Sequence, residues 1–161
     1  MPPSLDIAPI TALPDGFATL RAEAAAERLD NIETLWSQWQ DGSNRFRRPG
    51  ELLLAARVGG DLAGLGGITE DFIDPRGLRM RRFYVRPAYR RSGVGRAIVR
   101  HLLAHARPLG RPIWLYTESP AATLFWQAMG FVPVDPGQDH ARVARDLLVT
   151  PRTPPSPLDI S

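Results

Sequence analysis

No cysteine occurs among the 161 residues. Disulfides, thiolate metal sites and any covalent cysteine intermediate are thereby excluded. Lysine is missing too, because all 20 basic residues are arginine. That excludes a Schiff-base lysine, and also a P-loop, whose lysine reaches the phosphates. Long apolar runs are absent as well: no stretch approaches the roughly 18 consecutive apolar residues of a membrane-spanning helix. The N-terminal MPPSLDIAPI has neither the basic region nor the apolar segment of a secretory leader. The expectation is a cytoplasmic protein without a membrane partner. A net charge of only +3 allows an anionic ligand but does not single out nucleic acid.

What is present describes one domain of common size, with a globular balance of 43% apolar and 23% charged residues. Residues 1–15 hold Pro2, Pro3, Pro9 and Pro14 and read as a flexible lead-in. Residues 151–161 are proline-rich and read as a disordered tail. The domain is therefore expected over residues 16–150.

Within it, Phe17 to Ala22 alternates like a first strand, and Ala24 to Gln40 has helical periodicity. Leu29, Ile32, Leu35, Trp36 and Trp39 form one apolar stripe on that helix, fit for core packing or for the wall of an acceptor pocket. Two strands come next, Glu51 to Val58 and Leu62 to Thr69, joined at Gly59-Gly60-Asp61. Three glycines in the second strand suggest a bulge or a close approach by another group. A turn at Asp74–Gly77 leads to a strand, an arginine-rich loop and a long helix. After the break at Pro108–Pro112 come a short strand at Ile113–Thr117 and a helix with Ser119 as N-cap and Pro120 in its first turn. Ala122, Phe125 and Met129 mark the inner face of that helix, and Gly130 its end. Phe131–Val134 and His140–Val149 complete the order as final strands. Hairpins around one strand–helix–strand crossover give an α+β or mixed α/β fold, not a doubly wound sheet. His101 and His105 lie four apart but have no third ligand, so no metal is expected.

The most informative stretch is MRRFYVRPAYRRSGVGRAIVRHLLAHAR, residues 80–107. Phe83, Tyr84 and Val85 favour a strand, and Pro87 ends it. Gly93-Val94-Gly95 then opens a helix. A glycine loop at a helix N-terminus presents backbone N–H groups and a favourable dipole to a phosphate. Arg90, Arg91 and Arg96 can add bidentate contacts. A dinucleotide-binding unit does not fit, because its third glycine would fall at Ile98 and seven residues separate Val85 from Gly93. The arginines cluster at this loop with no basic stripe interleaved with aromatics, which argues against nucleic acid.

Val85-x-Pro87 followed by Arg90-Arg91-Ser92-Gly93-Val94-Gly95-Arg96-Ala97 resembles the acetyl-CoA signature of the GNAT acetyltransferases, R/Q-x-x-G-x-G/A. Ala122 to Phe131 is similar to that family's second signature, an alanine, an aromatic pair and a closing Gly-Phe. The resemblance runs from about Phe17 to Val149 and is weakest over residues 1–50, where acceptor specificity resides in the family. It implies the GNAT acyltransferase fold, a mostly antiparallel sheet splayed at the CoA site and flanked by helices. It also implies transfer of the acetyl group of acetyl-CoA to a small-molecule or peptide amine in a ternary complex. The lack of cysteine independently favours such direct transfer.

Carried over, the backbone of Phe83, Tyr84 and Val85 would pair with pantetheine, and an N–H near Tyr84 or Val85 would polarise the thioester carbonyl. Arg90, Arg91, Ser92, Gly93, Val94, Gly95 and Arg96 would hold the pyrophosphate. Ser119, Ala122, Phe125 and Trp126 would line the rest of acetyl-CoA. Glu70 is the first candidate for general base, ahead of Asp71 and Glu118. Trp126 stands where the family usually has an acidic tyrosine, and indole N–H is far too weak an acid for that step. Tyr116, Tyr89, a water held by Ser119 or solvent itself would protonate the departing thiolate instead. The alternative reading is a catalytically silent acyl-CoA-binding or sensor domain. A terminal strand offers a route to a homodimer.

Overall fold

The computed structural model describes residues 3–116, 120–132 and 142–146. Two compact units are present, Met1–Ile68 with Arg81–Leu102, and Thr69–Met80 with Leu103–Ser161. The first holds β1 (Leu5–Pro9), α1 (Phe17–Ala26), α2 (Asn31–Asp41), β2 (Leu52–Val58), most of β3 (Asp61–Glu70), the end of β4 (Leu78–Val85) and most of α3 (Val94–Ala106).

The residues expected as a loose lead-in contain a strand. β1 pairs antiparallel with β2, from Leu5↔Val58 to Pro9↔Leu54. Proline is tolerated there because β1 is an edge strand and Pro9 is its last residue.

The strand expected at Phe17–Ala22 is instead the start of a helix. Phe17, Leu20 and Ala24 are its buried residues, a three-then-four spacing that only a helix lines up. The alanine run beyond them reinforces it. The single helix expected over Ala24–Gln40 is two helices. Arg28 takes a φ of 61° just after α1, and α2 begins at Asn31. α2 buries Ile32, Leu35 and Trp39. Its apolar stripe is thus core packing, with Leu29 left 44% exposed before the helix starts.

β2 and β3 form the expected antiparallel hairpin, from Leu52↔Ile68 to Val58↔Asp61. Its central residues are buried on both faces. A Cβ at Gly66 would lie 2.7 Å from both Ile98 and Phe83, and one at Gly67 would lie 2.5 Å from Phe46. The close approach signalled by these glycines is made by the protein's own side chains.

The second unit holds the end of β3, the start of β4, the end of α3, β5 (Ile113–Tyr116), α4 (Pro120–Ala128), β6 (Phe131–Val132) and β7 (Arg142–Asp146). β4 and β5 run parallel through Leu78↔Ile113 and Arg79↔Trp114. β7 lies between β5 and β6 and is antiparallel to both. One parallel crossover among antiparallel pairs is the expected mixed α+β plan. Gly130 takes a φ of 101° after α4, as a left-handed cap. The inner face of α4 departs from expectation, because Trp126 is its buried residue while Ala122, Phe125 and Met129 are half-buried. The N-cap expected at Ser119 and the tail at 151–161 lie outside the described residues. Among the described residues no helix is long and apolar enough to cross a membrane.

Candidate functional site

The glycine loop has the geometry of an anion site. After β4, a short helical turn at Pro87–Tyr89 carries the chain away from the strand. Arg91 and Gly93 both take left-handed conformations, with φ of 64° and 87°. α3 starts at Val94, and its first helical hydrogen bond runs from Ala97 N–H to the Gly93 carbonyl at 3.0 Å. The N–H groups of Val94, Gly95 and Arg96 precede it and have no partner within the helix. Arg91, Ser92, Gly93 and Arg96 are exposed, while Val94 is buried and anchors the turn. No atom lies within 4 Å of where a Cβ on Gly93 would stand. Open space beside Gly93 next to the helix's unpaired N–H groups suits a phosphate group. Ser92 stiffens the turn, its hydroxyl donating to the Tyr89 carbonyl at 2.6 Å.

Arg90, expected at the anion, is directed elsewhere. Its Nη1 and Nη2 donate to the Glu27 carboxylate at 2.8 and 2.6 Å, and its Nε donates to the Val85 carbonyl at 2.8 Å. Glu27 also accepts the Tyr84 hydroxyl at 2.5 Å. Hydrogen bonds from Arg90 first, then Tyr84, hold the Glu27 carboxyl down to about 2. Burial, followed by the Glu27 carboxylate, pushes the Tyr84 phenol up. One turn earlier on α1, Glu23 takes Arg86 Nε and Nη2 at 2.8 and 3.1 Å, while Arg86 Nη1 reaches the Leu62 carbonyl at 2.9 Å. Asn31 Nδ2 donates to the Phe83 carbonyl at 2.8 Å.

Sequence reasoning missed Glu23, Glu27, Asn31 and Arg86. The signal was a matched four-residue spacing in the two acids and in the two arginines. The pairs lie 63 residues apart in sequence, and nothing local says that they meet.

The second unit gathers the proton-transfer candidates. Glu70 ends β3 with its carboxylate 3.7 Å from Arg111 Nη2. Asp71 is 4% exposed and accepts the Tyr116 hydroxyl and the Asp74 N–H, each at 2.7 Å. The Arg79 guanidinium lies over the rings of Tyr116 and Phe72, 4.3 and 4.8 Å from their centres. Tyr89, in the first unit, donates to Asp61 at 3.1 Å. Trp126 is 6% exposed, with its ring edge-on to Phe125 and Phe131 at 5.1 and 5.4 Å. Its ring is part of the packing between α4 and β6. Ser119 and Glu118 lie outside the described residues. His101 Nδ1 sits 2.8 Å from the Ala97 carbonyl, and among the described residues no group of three acidic or imidazole side chains could hold a metal ion.

Residues 16–131 match the acetyltransferase (GNAT) family, and the chain belongs to that family. It is 32% identical over 136 residues to the mycothiol acetyltransferase of Parafrankia sp. (strain EAN1pec), covering 80% of this chain and 37% of that protein. The chain thus spans little more than a third of that relative's length. A structure from Exiguobacterium sp. 255-15, assigned as an acetyltransferase, superposes with a TM-score of 0.75 at 24% identity, covering 88% of this chain and 92% of that one. A Salmonella typhimurium structure of the same assignment, solved with its cofactor acetyl-CoA, gives a TM-score of 0.60 at 16% identity over 88% of this chain and 89% of that one. These two likenesses establish the GNAT fold.

Proposed function

We propose that the chain is an N-acetyltransferase, taking the acetyl group of acetyl-CoA and passing it directly to an amine acceptor in a ternary complex. The observation that carries this reading is the turn into α3, where an exposed, left-handed Gly93 stands just before the first N–H groups of the helix and a Cβ on it would meet open space. Those of Val94, Gly95 and Arg96 would hold the pyrophosphate, with the side chains of Arg91 and Arg96 adding charge. The backbone of Phe83–Val85 would align the pantetheine arm. An N–H near Tyr84 or Val85 would stabilise negative charge on the thioester oxygen.

Acetyl-CoA, when bound, supplies an activated acetyl thioester. The chain has no cysteine on which that group could rest, so direct attack by the amine is the route. The amine must be uncharged to attack. Glu70 is proposed to take its proton, and Tyr116 or Ser119 to return one to the sulfur. The Parafrankia relative is named for mycothiol, which puts a small-molecule amine ahead of a peptide as the acceptor.

A second reading, a silent acyl-CoA-binding domain, is favoured by Trp126. Its indole stands at the acid position of the second signature and is packed away between Phe125 and Phe131. The two readings separate in one assay, release of free CoA thiol from acetyl-CoA across a panel of small amines and peptides. Amine-dependent release supports the enzyme. Acetyl-CoA binding without release for any amine supports the silent domain.

A further inference from the structure

We propose that α1 shapes the anion loop through two parallel acid–arginine rungs, and that Arg90 is a positioning residue for acetyl-CoA, not a phosphate ligand. The proposal rests on the acetyl-CoA reading above. Every residue in it belongs to the first unit.

Glu23 lies in the last turn of α1 and Glu27 is its C-cap residue, four positions further on. Arg86 and Arg90 are four apart as well and bracket the turn at Pro87–Tyr89. Each arginine engages one carboxylate with two nitrogens and gives a third N–H to a backbone carbonyl, Leu62 for Arg86 and Val85 for Arg90. Each also lies over a tyrosine, Arg86 at 5.5 Å from the Tyr89 ring and Arg90 at 5.4 Å from the Tyr84 ring. The same three-part arrangement is thus built twice.

A guanidinium fork that is bidentate to a carboxylate and also bound to a carbonyl has one orientation that satisfies both. Two such forks fix the loop at both ends of its turn. The residue after Arg90 needs that support, because Arg91 takes a left-handed φ of 64°, which persists only where neighbours over-determine it. Glu27 and the Val85 carbonyl take three of the five N–H groups of Arg90 and set the plane and direction of its fork. Glu27 is held in turn by the Tyr84 hydroxyl, so the fork rests on a carboxylate that is itself fixed.

The test is calorimetric titration of CoA into the full chain over a range of salt, for wild type, Glu27→Gln, Arg90→Gln and the double variant. We expect each single variant to weaken CoA by about tenfold, the double to be no weaker than either single, and the salt dependence to match wild type. Arg90→Gln weakening CoA far more than Glu27→Gln, with a flatter salt dependence, would make Arg90 a phosphate ligand and overturn the proposal. Wild-type affinity in both single variants would overturn it equally. If Glu27→Gln does not fold, Glu23→Gln probes the companion rung by the same readouts. Should wild type bind no CoA, the cofactor reading fails, and amide hydrogen exchange of residues 91–96 decides the rungs alone. Faster exchange in Glu27→Gln supports them, and unchanged exchange overturns them.

Discussion

The Tyr116 hydroxyl donates to the Asp71 carboxylate at 2.7 Å. Asp71 is 4% exposed, and a carboxylate that far from water depends on its donors. Tyr116 is one, and the Asp74 N–H is another. Tyr116→Phe is expected to destabilise the chain by about 1–3 kcal/mol, lowering Tm by on the order of 2–10 °C. Thermal unfolding without ligand checks this, and an unchanged Tm would contradict it. Turnover measured on the same variant separates the roles: a fall in kcat with unchanged CoA affinity means that Tyr116 also supplies a proton.

Glu70 gives a different pattern. Its carboxylate is paired with Arg111 at 3.7 Å at the end of β3, and the base role asks only for a proton acceptor on an amine. Glu70→Gln is expected to lower kcat by about a hundredfold while leaving CoA affinity unchanged. Wild-type kcat in that variant would remove Glu70 from the reaction.

The glycines of β3 are expected to resist substitution. In Gly66→Ala the new methyl would stand 2.7 Å from the buried Ile98 and from the ring of the half-buried Phe83. Overpacking of this kind costs about 1–3 kcal/mol. A denaturant midpoint shifted down by that amount, with the slope unchanged, is the expected result.

Much of the fold was legible in the sequence. The α3 periodicity, the Gly59–Gly60 hairpin, Pro120 in the first turn of α4 and the Gly130 cap are local signals, and each element formed near its expected place. The errors have local causes as well. Phe17–Ala22 alternates for six residues, too few to outweigh the alanines after it, and the prolines around Leu5–Pro9 disguise a strand that its pairing with β2 stabilises. Arg82 takes a φ of 63° inside β4 with no glycine or asparagine to announce it. The rungs were beyond reach for another reason. An arginine beside a glycine loop reads as a phosphate ligand until a carboxylate at the end of a distant helix is seen holding it.

That carboxylate also predicts a pH response. Glu27 titrates at about 2 when folded, against an ordinary 4.5. A carboxyl with a depressed folded value stabilises fully above its ordinary value and loses that contribution as pH falls towards the folded one. Arg90 and Arg86 stay charged and Tyr84 stays neutral across this window, and neighbouring Glu23, also held below its ordinary value by Arg86, is common to both proteins. Unfolding free energies of wild type and Glu27→Gln are expected to differ most above pH 4.5 and to converge as pH falls towards 2. Curves that stay parallel through that range would contradict the linkage.

The most direct measurement is acetyl-CoA binding to wild type and to Gly93→Asp, monitored by thermal shift. Nothing lies within 4 Å of the new Cβ, and aspartate tolerates a positive φ better than most residues, so the unliganded variant should unfold close to wild type. Wild type is expected to gain about 2.7 kcal/mol of stability at a ligand concentration of about 100 Kd. Gly93→Asp should gain nothing, because its carboxylate would occupy the space meant for phosphate. Equal stabilisation of the two proteins, or none in wild type, would contradict acetyl-CoA binding at this loop.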